Sequence, residues 1–194
     1  MTYPLSQETV EEIYLLSKDF PDSEFVFFAV SKAYLANRTP YGDMLVKDHF
    51  IHVVGEISGE PPEDIIKILT LSDDPDTLTL IRQATRHLDA EMVYSLPTIF
   101  EFNPPGVTKG ATLKQLLQAL AMDTLPIFAA GDGENDLTLL SIAKRAFAPT
   151  NAHPAVLEQA DVIIPRNKNG LLEPILEHIS LSKYGDDYPK RPEM

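Results

Sequence analysis

Three carboxylates and an amide crowd into Asp132, Glu134, Asn135 and Asp136, inside the stretch GDGENDLTLL that runs from Gly131 to Leu140. The apolar run Leu125 to Ala130 leads directly into it, so the acids stand where a buried strand ends and a helix begins. Hard oxygen donors gathered at such a junction suit Mg2+, and Gly131 and Gly133 permit a tight backbone beneath them. The plainer alternative is that Asp132 or Glu134 caps the helix and the other acids are solvated. The spacing 132, 134, 136 also imitates an EF-hand. That reading fails, because the glycine it requires falls at Leu137 and the closing glutamate at Ala143.

A second chemical stretch lies upstream, in GVTKGAT from Gly106 to Thr112. A lysine next to glycine at a helix start can offer its ammonium and free backbone N–H groups to one phosphate. Taken alone, Lys109 reads more readily as a solvated lysine at a helix start. A P-loop would require glycine immediately before the lysine, where Thr108 stands. The histidines give no comparable pattern: His49 and His52 sit three apart in an expected strand and point to opposite faces, and His87, His153 and His178 are scattered. Neither G-x-S-x-G nor HExxH occurs.

The elements that must position these groups fall into two halves. In the first, Ser6 caps an expected helix over Gln7 to Lys18, followed by strands near Phe25 to Val30, Tyr34 to Ala36 and Phe50 to Val54. Gly55 to Asp64 reads as a loop, Ile65 to Leu71 as a buried strand, Asp76 to Leu88 as a helix, and Glu91 to Ser95 with Thr98 to Phe102 as a hairpin. Strands and helices mix without strict alternation, as in an α+β unit. After Asn103-Pro-Pro-Gly the pattern becomes regular. Leu113, Leu116, Leu117 and Leu120 place one apolar face on a helix over Thr108 to Met122, which must pack on something. Strands at Ile127 to Ala130, Arg145 to Ala148 and Asp161 to Ile164 alternate with helices at Asn135 to Ala143, Pro154 to Gln159 and Leu171 to Ile179. That is the rhythm of a parallel sheet with helices on its faces, and ligands bind such sheets at the carboxyl ends of the strands.

Composition narrows the function classes. The chain has 194 residues, 44% apolar and 23% charged, and 16 Lys and Arg stand against 29 Asp and Glu for a net charge of −13. So acidic a chain makes nucleic acid or an anionic membrane surface an unsuitable partner. It has no cysteine, which excludes disulfides and thiolate chemistry. The beginning MTYPLSQETVEEIYLL lacks a basic segment followed by an apolar one, and no apolar run is long enough to span a membrane, so the cytosol is the expected location.

Taken together, GVTKGATLKQLL followed by FAAGDGENDLTLL resembles the haloacid dehalogenase superfamily, and within it the Cof-type phosphatases with a large α+β cap. The likeness continues through Asn151-Ala152, the run Ala160 to Ile163, and Asn169-Gly170-Leu171. It implies an α/β protein: a cap over residues 1–102 and, over 103–194, the C-terminal half of a Rossmann-like core with a parallel sheet. It also implies Mg2+-dependent hydrolysis of small phosphorylated metabolites such as sugar phosphates, through an aspartyl-phosphate. In that scheme Lys109 holds phosphate and nucleophile together, Asp132 and Asp136 serve the metal, the latter through water, and Asn135 and Asn151 contact substrate.

The family's nucleophile lies in a DxDGT motif that should precede the cap, and this sequence contains none. About 80 residues would supply the strand-helix units that carry it. The nearest imitation, Asp74-Pro75-Asp76-Thr77, lacks the glycine and reads as a helix start. The resemblance therefore implies a chain inactive by itself, or a non-catalytic remnant that binds metal, phosphate or a partner protein. It also leaves the strand at Ile127 to Ala130 with an open edge, where self-association or a separately encoded N-terminal piece is expected.

Overall fold

A computed structural model describes residues 3–37, 39–40, 53–165, 170 and 172–182. His49 and His52, Asn169 and Leu171, and the first residues of the strand expected at Phe50 to Val54, lie outside the described residues.

The first half builds a six-stranded mixed sheet. Helix α1 (Gln7–Ser17) starts where the Ser6 hydroxyl accepts the Thr9 amide at 3.1 Å, satisfying one of the donors a helix start leaves unpaired. Strands β1 (Glu24–Phe28), β2 (Ala33–Leu35), β3 (Val53–Glu56), β4 (Lys67–Leu71), β5 (Glu91–Leu96) and β6 (Ile99–Asn103) follow, with helix α2 (Pro75–Thr85) between β4 and β5. Their order in the sheet is β3-β2-β1-β4-β6-β5, antiparallel except for β2 with β3. Gly55 and Glu56, expected in a loop, extend β3, because Tyr34 and Leu35 pair with them.

Alternation along the strands sorts the side chains into two faces. On one, Phe25, Phe27, Ile68, Phe100 and Phe102 are fully buried with Val10 and Ile13 of α1 and Leu78 and Ile81 of α2. Phe100 and Phe102 meet edge to face at 5.0 Å, the geometry that aromatic quadrupoles favour. On the other face Val26, Ala33, Leu35 and Leu71 form a smaller cluster. The expected α+β character and the hairpin of β5 with β6 are both present.

A turn joins the halves. Gly106 has φ +72°, a conformation glycine adopts without Cβ strain, and its amide donates to Glu91 Oε1 at 3.0 Å. Helix α3 (Lys109–Ala119) comes next. Strand β7 (Phe128–Ala130) leads into a single 3-10 turn at Glu134–Asp136, then α4 (Leu137–Ser141), β8 (Arg145–Pro149), α5 (Pro154–Gln159), β9 (Val162–Ile164) and α6 (Leu172–Ser182). The three strands pair in parallel in the order β7-β8-β9, and the βαβ rhythm of the second half holds. Its core is small: Ala129, Leu140, Ala146, Ala148, Ala152 and Val156.

The apolar stripe of α3 packs in part: Gly110 is buried against α4 and Leu113 and Leu117 are half-buried, while Leu116 and Leu120 are 53% and 56% exposed. The cause is the position of β7 at the margin of the parallel sheet. Among the described residues no strand lies beyond it to receive the leucines, and Phe128 is itself 38% exposed. Among the described residues no helix is long and apolar enough to cross a membrane.

Candidate functional site

The two chemical stretches meet at the carboxyl end of β7. The Gly131 amide continues the ladder by donating to Phe147 O at 3.1 Å, after which the chain leaves the sheet. Asp136 N then donates to Gly133 O at 3.0 Å, closing the 3-10 turn and swinging the Asp136 side chain back beneath it. Its Oδ2 accepts the amides of Asp132 and Gly133 at 3.0 and 3.1 Å, and its Oδ1 accepts Lys109 Nζ at 2.5 Å. One buried carboxylate thus gathers two backbone donors and a lysine 27 residues away.

Burial alone would push the Asp136 carboxyl up. The Lys109 hydrogen bond, the amides of Gly133 and Asp132 and the lysine's charge outweigh it, so the carboxyl lies below its ordinary range. The pairing also serves the lysine. As the first residue of α3, Lys109 sits at the positive end of the helix dipole, an unfavourable place for a cation that Asp136 offsets.

Two glycines are required by space. A Cβ on Gly131 would lie 2.4 Å from Asp136 Cβ and 2.8 Å from its Cγ. A Cβ on Gly110 would lie 2.2 Å from the Thr138 carbonyl oxygen, where α3 presses on α4. Gly131 and Gly133 have no positive φ, so it is bulk rather than backbone freedom that excludes side chains at Gly131. The α3 start also departs from expectation. The amides of Gly110 and Ala111 are taken by the hydroxyls of Thr138 and Thr108, at 3.2 Å each, which leaves the ammonium as the principal donor toward an anion.

A cavity of about 870 Å3 opens beside this cluster, within the range of small-molecule sites. Lys67, Glu91 and Glu101 of the mixed sheet wall one side, Lys109, Leu113 and Asn135 the other. Lys67 and Glu101 pair at 2.6 Å on that wall. Asn135 therefore joins Lys109 at the cavity, whereas Asp132 and Asn151 do not line it. Asp132 is exposed at the turn, its carbonyl accepting the His153 amide at 2.8 Å; Asn151 is exposed two residues before that histidine.

Glu134, grouped with the possible oxygen ligands by sequence, is used otherwise. Its Oε2 accepts the Tyr94 amide at 3.1 Å and its Oε1 faces Arg82 at 3.4 Å. The helix start expected here is present, and Asp74 caps it, its carboxylate accepting the Thr77 hydroxyl at 2.7 Å and the Asp76 amide at 3.1 Å. Those bonds, the hydroxyl's first, hold its carboxyl below the usual range. His87 pairs with Glu12 at 2.5 Å, His153 caps α5, and His178 meets the Phe147 ring edge-on.

The donors suit a hard cation in kind. Among the described residues, however, no three His, Asp or Glu side chains converge on a metal position. Mg2+ commonly binds through one or two carboxylates with water and phosphate completing its shell, so Asp132 fits as a ligand. Asp136 has both oxygens engaged and is placed to orient the turn.

A model of the haloacid dehalogenase-like hydrolase family matches residues 1–175. The chain belongs to that family. As a haloacid dehalogenase-like hydrolase it is 35% identical over 83 residues to a phosphoglycolate phosphatase of Methanothermobacter thermautotrophicus, covering 43% of this chain and 37% of that one. It is 30% identical over 111 residues to the 5-amino-6-(5-phospho-D-ribitylamino)uracil phosphatase YwtE of Bacillus subtilis, covering 56% and 39%. The matches span between 15% and 60% of the length of these and other curated relatives. In fold it resembles SMU.1108c of Streptococcus mutans (TM-score 0.76, 21% identity, 92% of this chain and 70% of that one). It also resembles the subclass IIB sugar phosphatase BT4131 (TM-score 0.75, 14% identity, 92% and 68%).

Proposed function

We propose that this chain carries the phosphate- and metal-directed half of a Mg2+-dependent phosphatase site for small phosphorylated metabolites such as sugar phosphates. The supporting observation is the convergence of Lys109, the Asp132 and Gly133 amides and Asp136 at the end of β7. In this reading residues 1–102 form the cap and 103–194 the core half, with the leaving group held in the cavity between them. Lys109 neutralises the phosphate, Asp136 aims Lys109 and the turn, Asn135 contacts substrate from the cavity wall, and Asn151 contacts it from the next loop. Asp132 ligates Mg2+, and Asp136 supports it through water. When bound, the cation would screen the charge that repels an attacking oxygen anion.

Calorimetric titration with inorganic phosphate in Mg2+ tests the reading. Lys109→Ala is expected to weaken phosphate binding about tenfold, the scale of one charge-assisted contact. Asp132→Asn is expected to abolish the Mg2+ dependence. Equal binding by parent and both variants would refute the assignment.

A binding role without turnover has its own support. Among the described residues Lys109 has Asp136 as its carboxylate partner, and Asp74 is committed to capping α2. Purified chain with an aryl phosphate and Mg2+ separates the two readings: no turnover favours binding, and turnover abolished by Asp74→Asn would assign Asp74 to the chemistry. The margin of β7 is where we place association, with a second copy or with a separately encoded N-terminal piece. A monodisperse monomer in light scattering over a wide concentration range would count against self-association.

A further inference from the structure

Glu134 lies in the turn that carries Asp132 and Asp136, yet its carboxylate is directed away from both, toward the mixed sheet. β5 is the margin of that sheet, so among the described residues no strand receives the outward amide of Tyr94, and Glu134 Oε2 accepts it at 3.1 Å. Arg82 of α2 reaches the other oxygen at 3.4 Å. Its guanidinium lies over the rings of Tyr94 and Phe100, at 5.2 and 5.9 Å from their centroids, which fixes its direction. The backbone follows the same contact: a Cβ on Gly133 would lie 3.7 Å from the Ser95 carbonyl oxygen.

An exposed ion pair stabilises little by itself. Here a strand amide and a ring-stacked arginine converge on one carboxylate whose side chain is 25% exposed. Glu134 also lines the 870 Å3 cavity, at the junction of its two walls.

We propose that Glu134 is a positioning residue that fastens the mixed sheet to the phosphate-directed turn and so sets the closed form of the cavity. Release of this one carboxylate lets β5 and α2 swing away from the Gly131–Asp136 turn. The fastening needs neither metal nor phosphate, and it stands or falls separately from the phosphatase reading.

The absence of cysteine allows clean labelling. Spin labels at Leu80→Cys on α2 and Glu158→Cys on α5, both exposed positions, report the distance between the halves by double electron-electron resonance. One narrow distance population is expected for the parent chain without ligand. Glu134→Ala is expected to broaden or split it, and Arg82→Ala to do so less. Glu134→Gln keeps an acceptor for Tyr94 while losing charge, so it should resemble Arg82→Ala; being nearly isosteric, it also keeps the test valid if the alanine variant folds poorly. Amide exchange at Tyr94 should rise on the order of tenfold in Glu134→Ala. A broad distribution in the parent, or unchanged distance and Tyr94 exchange in the Glu134 variants, would overturn the proposal.

Discussion

The two sheets close their cores to different degrees. In the mixed sheet, four phenylalanines from two strands are fully buried and packed against two helices. Around the parallel sheet half of the buried apolar residues are alanines, with Phe147 the one large aromatic among them, and Leu116, Leu120, Met122, Leu125 and Phe128 are all exposed. Large side chains supply most of the stabilisation available from burial. The mixed sheet accordingly holds the larger buried apolar core, while the parallel sheet presents the chemical groups on a scaffold whose apolar surface is open among the described residues.

The sharpest way to break this contrast is to truncate a large side chain in each half. Phe27→Ala or Phe102→Ala is expected to cost about 3–5 kcal/mol in urea denaturation. Leu116→Ala should stay within about 0.5 kcal/mol, the usual range for an exposed position. A comparable loss at Leu116 would mean that the α3 face is covered in solution. Next in size is Asp136→Ala, which strands two amides and Lys109. About 2–3 kcal/mol is expected, measured in the same way. Gly131→Ala forces a methyl against Asp136 and should cost about 1–3 kcal/mol. It should also weaken phosphate binding, whereas an equally destabilising core substitution in the mixed sheet should not.

Acid resolves the halves more gently. Since the Asp136 carboxyl is depressed in the folded chain, its contribution is full above the unfolded value of 3.8 and is lost as pH falls through the lower folded value. Amide exchange near Gly133 should therefore increase below about pH 3.8, and Asp136→Asn should remove that step. The smallest effect is expected at Asp74. Its carboxylate is spent on the α2 start, so Asp74→Asn should leave phosphate binding unchanged.

These outcomes follow the division between what neighbouring residues dictate and what distant ones decide. The turn after β7, the α2 start after Asp74 and the βαβ rhythm rest on contacts within a few residues, and the sequence shows them. The stripe Leu113 to Leu120 identifies an apolar face correctly, but periodicity cannot name what covers it. Glu134 is a harder case. Its type suits a metal ligand, and only the approach of Arg82, 52 residues earlier, reveals its use. At Gly131 the sequence shows a small residue, while the reason lies in the volume that Asp136 occupies. Lys67 and Glu101 give no local signal at all, since adjacent strands bring them onto one wall.

The pairing registers also bear on how the molecule assembles. Phe128 of β7 finds Arg145 of β8, whereas Glu24 of β1 must wait for Leu71 of β4 and crosses a much longer span of chain to meet it. Loop closure makes the longer span the slower event. The β1–β4 pairing is then expected to follow the local closures of β5 with β6, β1 with β2 and β7 with β8. Pulse-labelled amide exchange would show this as protection of Gly131, whose amide donates to Phe147 O, before Ile66, whose amide donates to Phe28 O. Glu134 joins two locally closed elements, the β7 turn and the hairpin of β5 with β6, so its bond to Tyr94 would mark their docking.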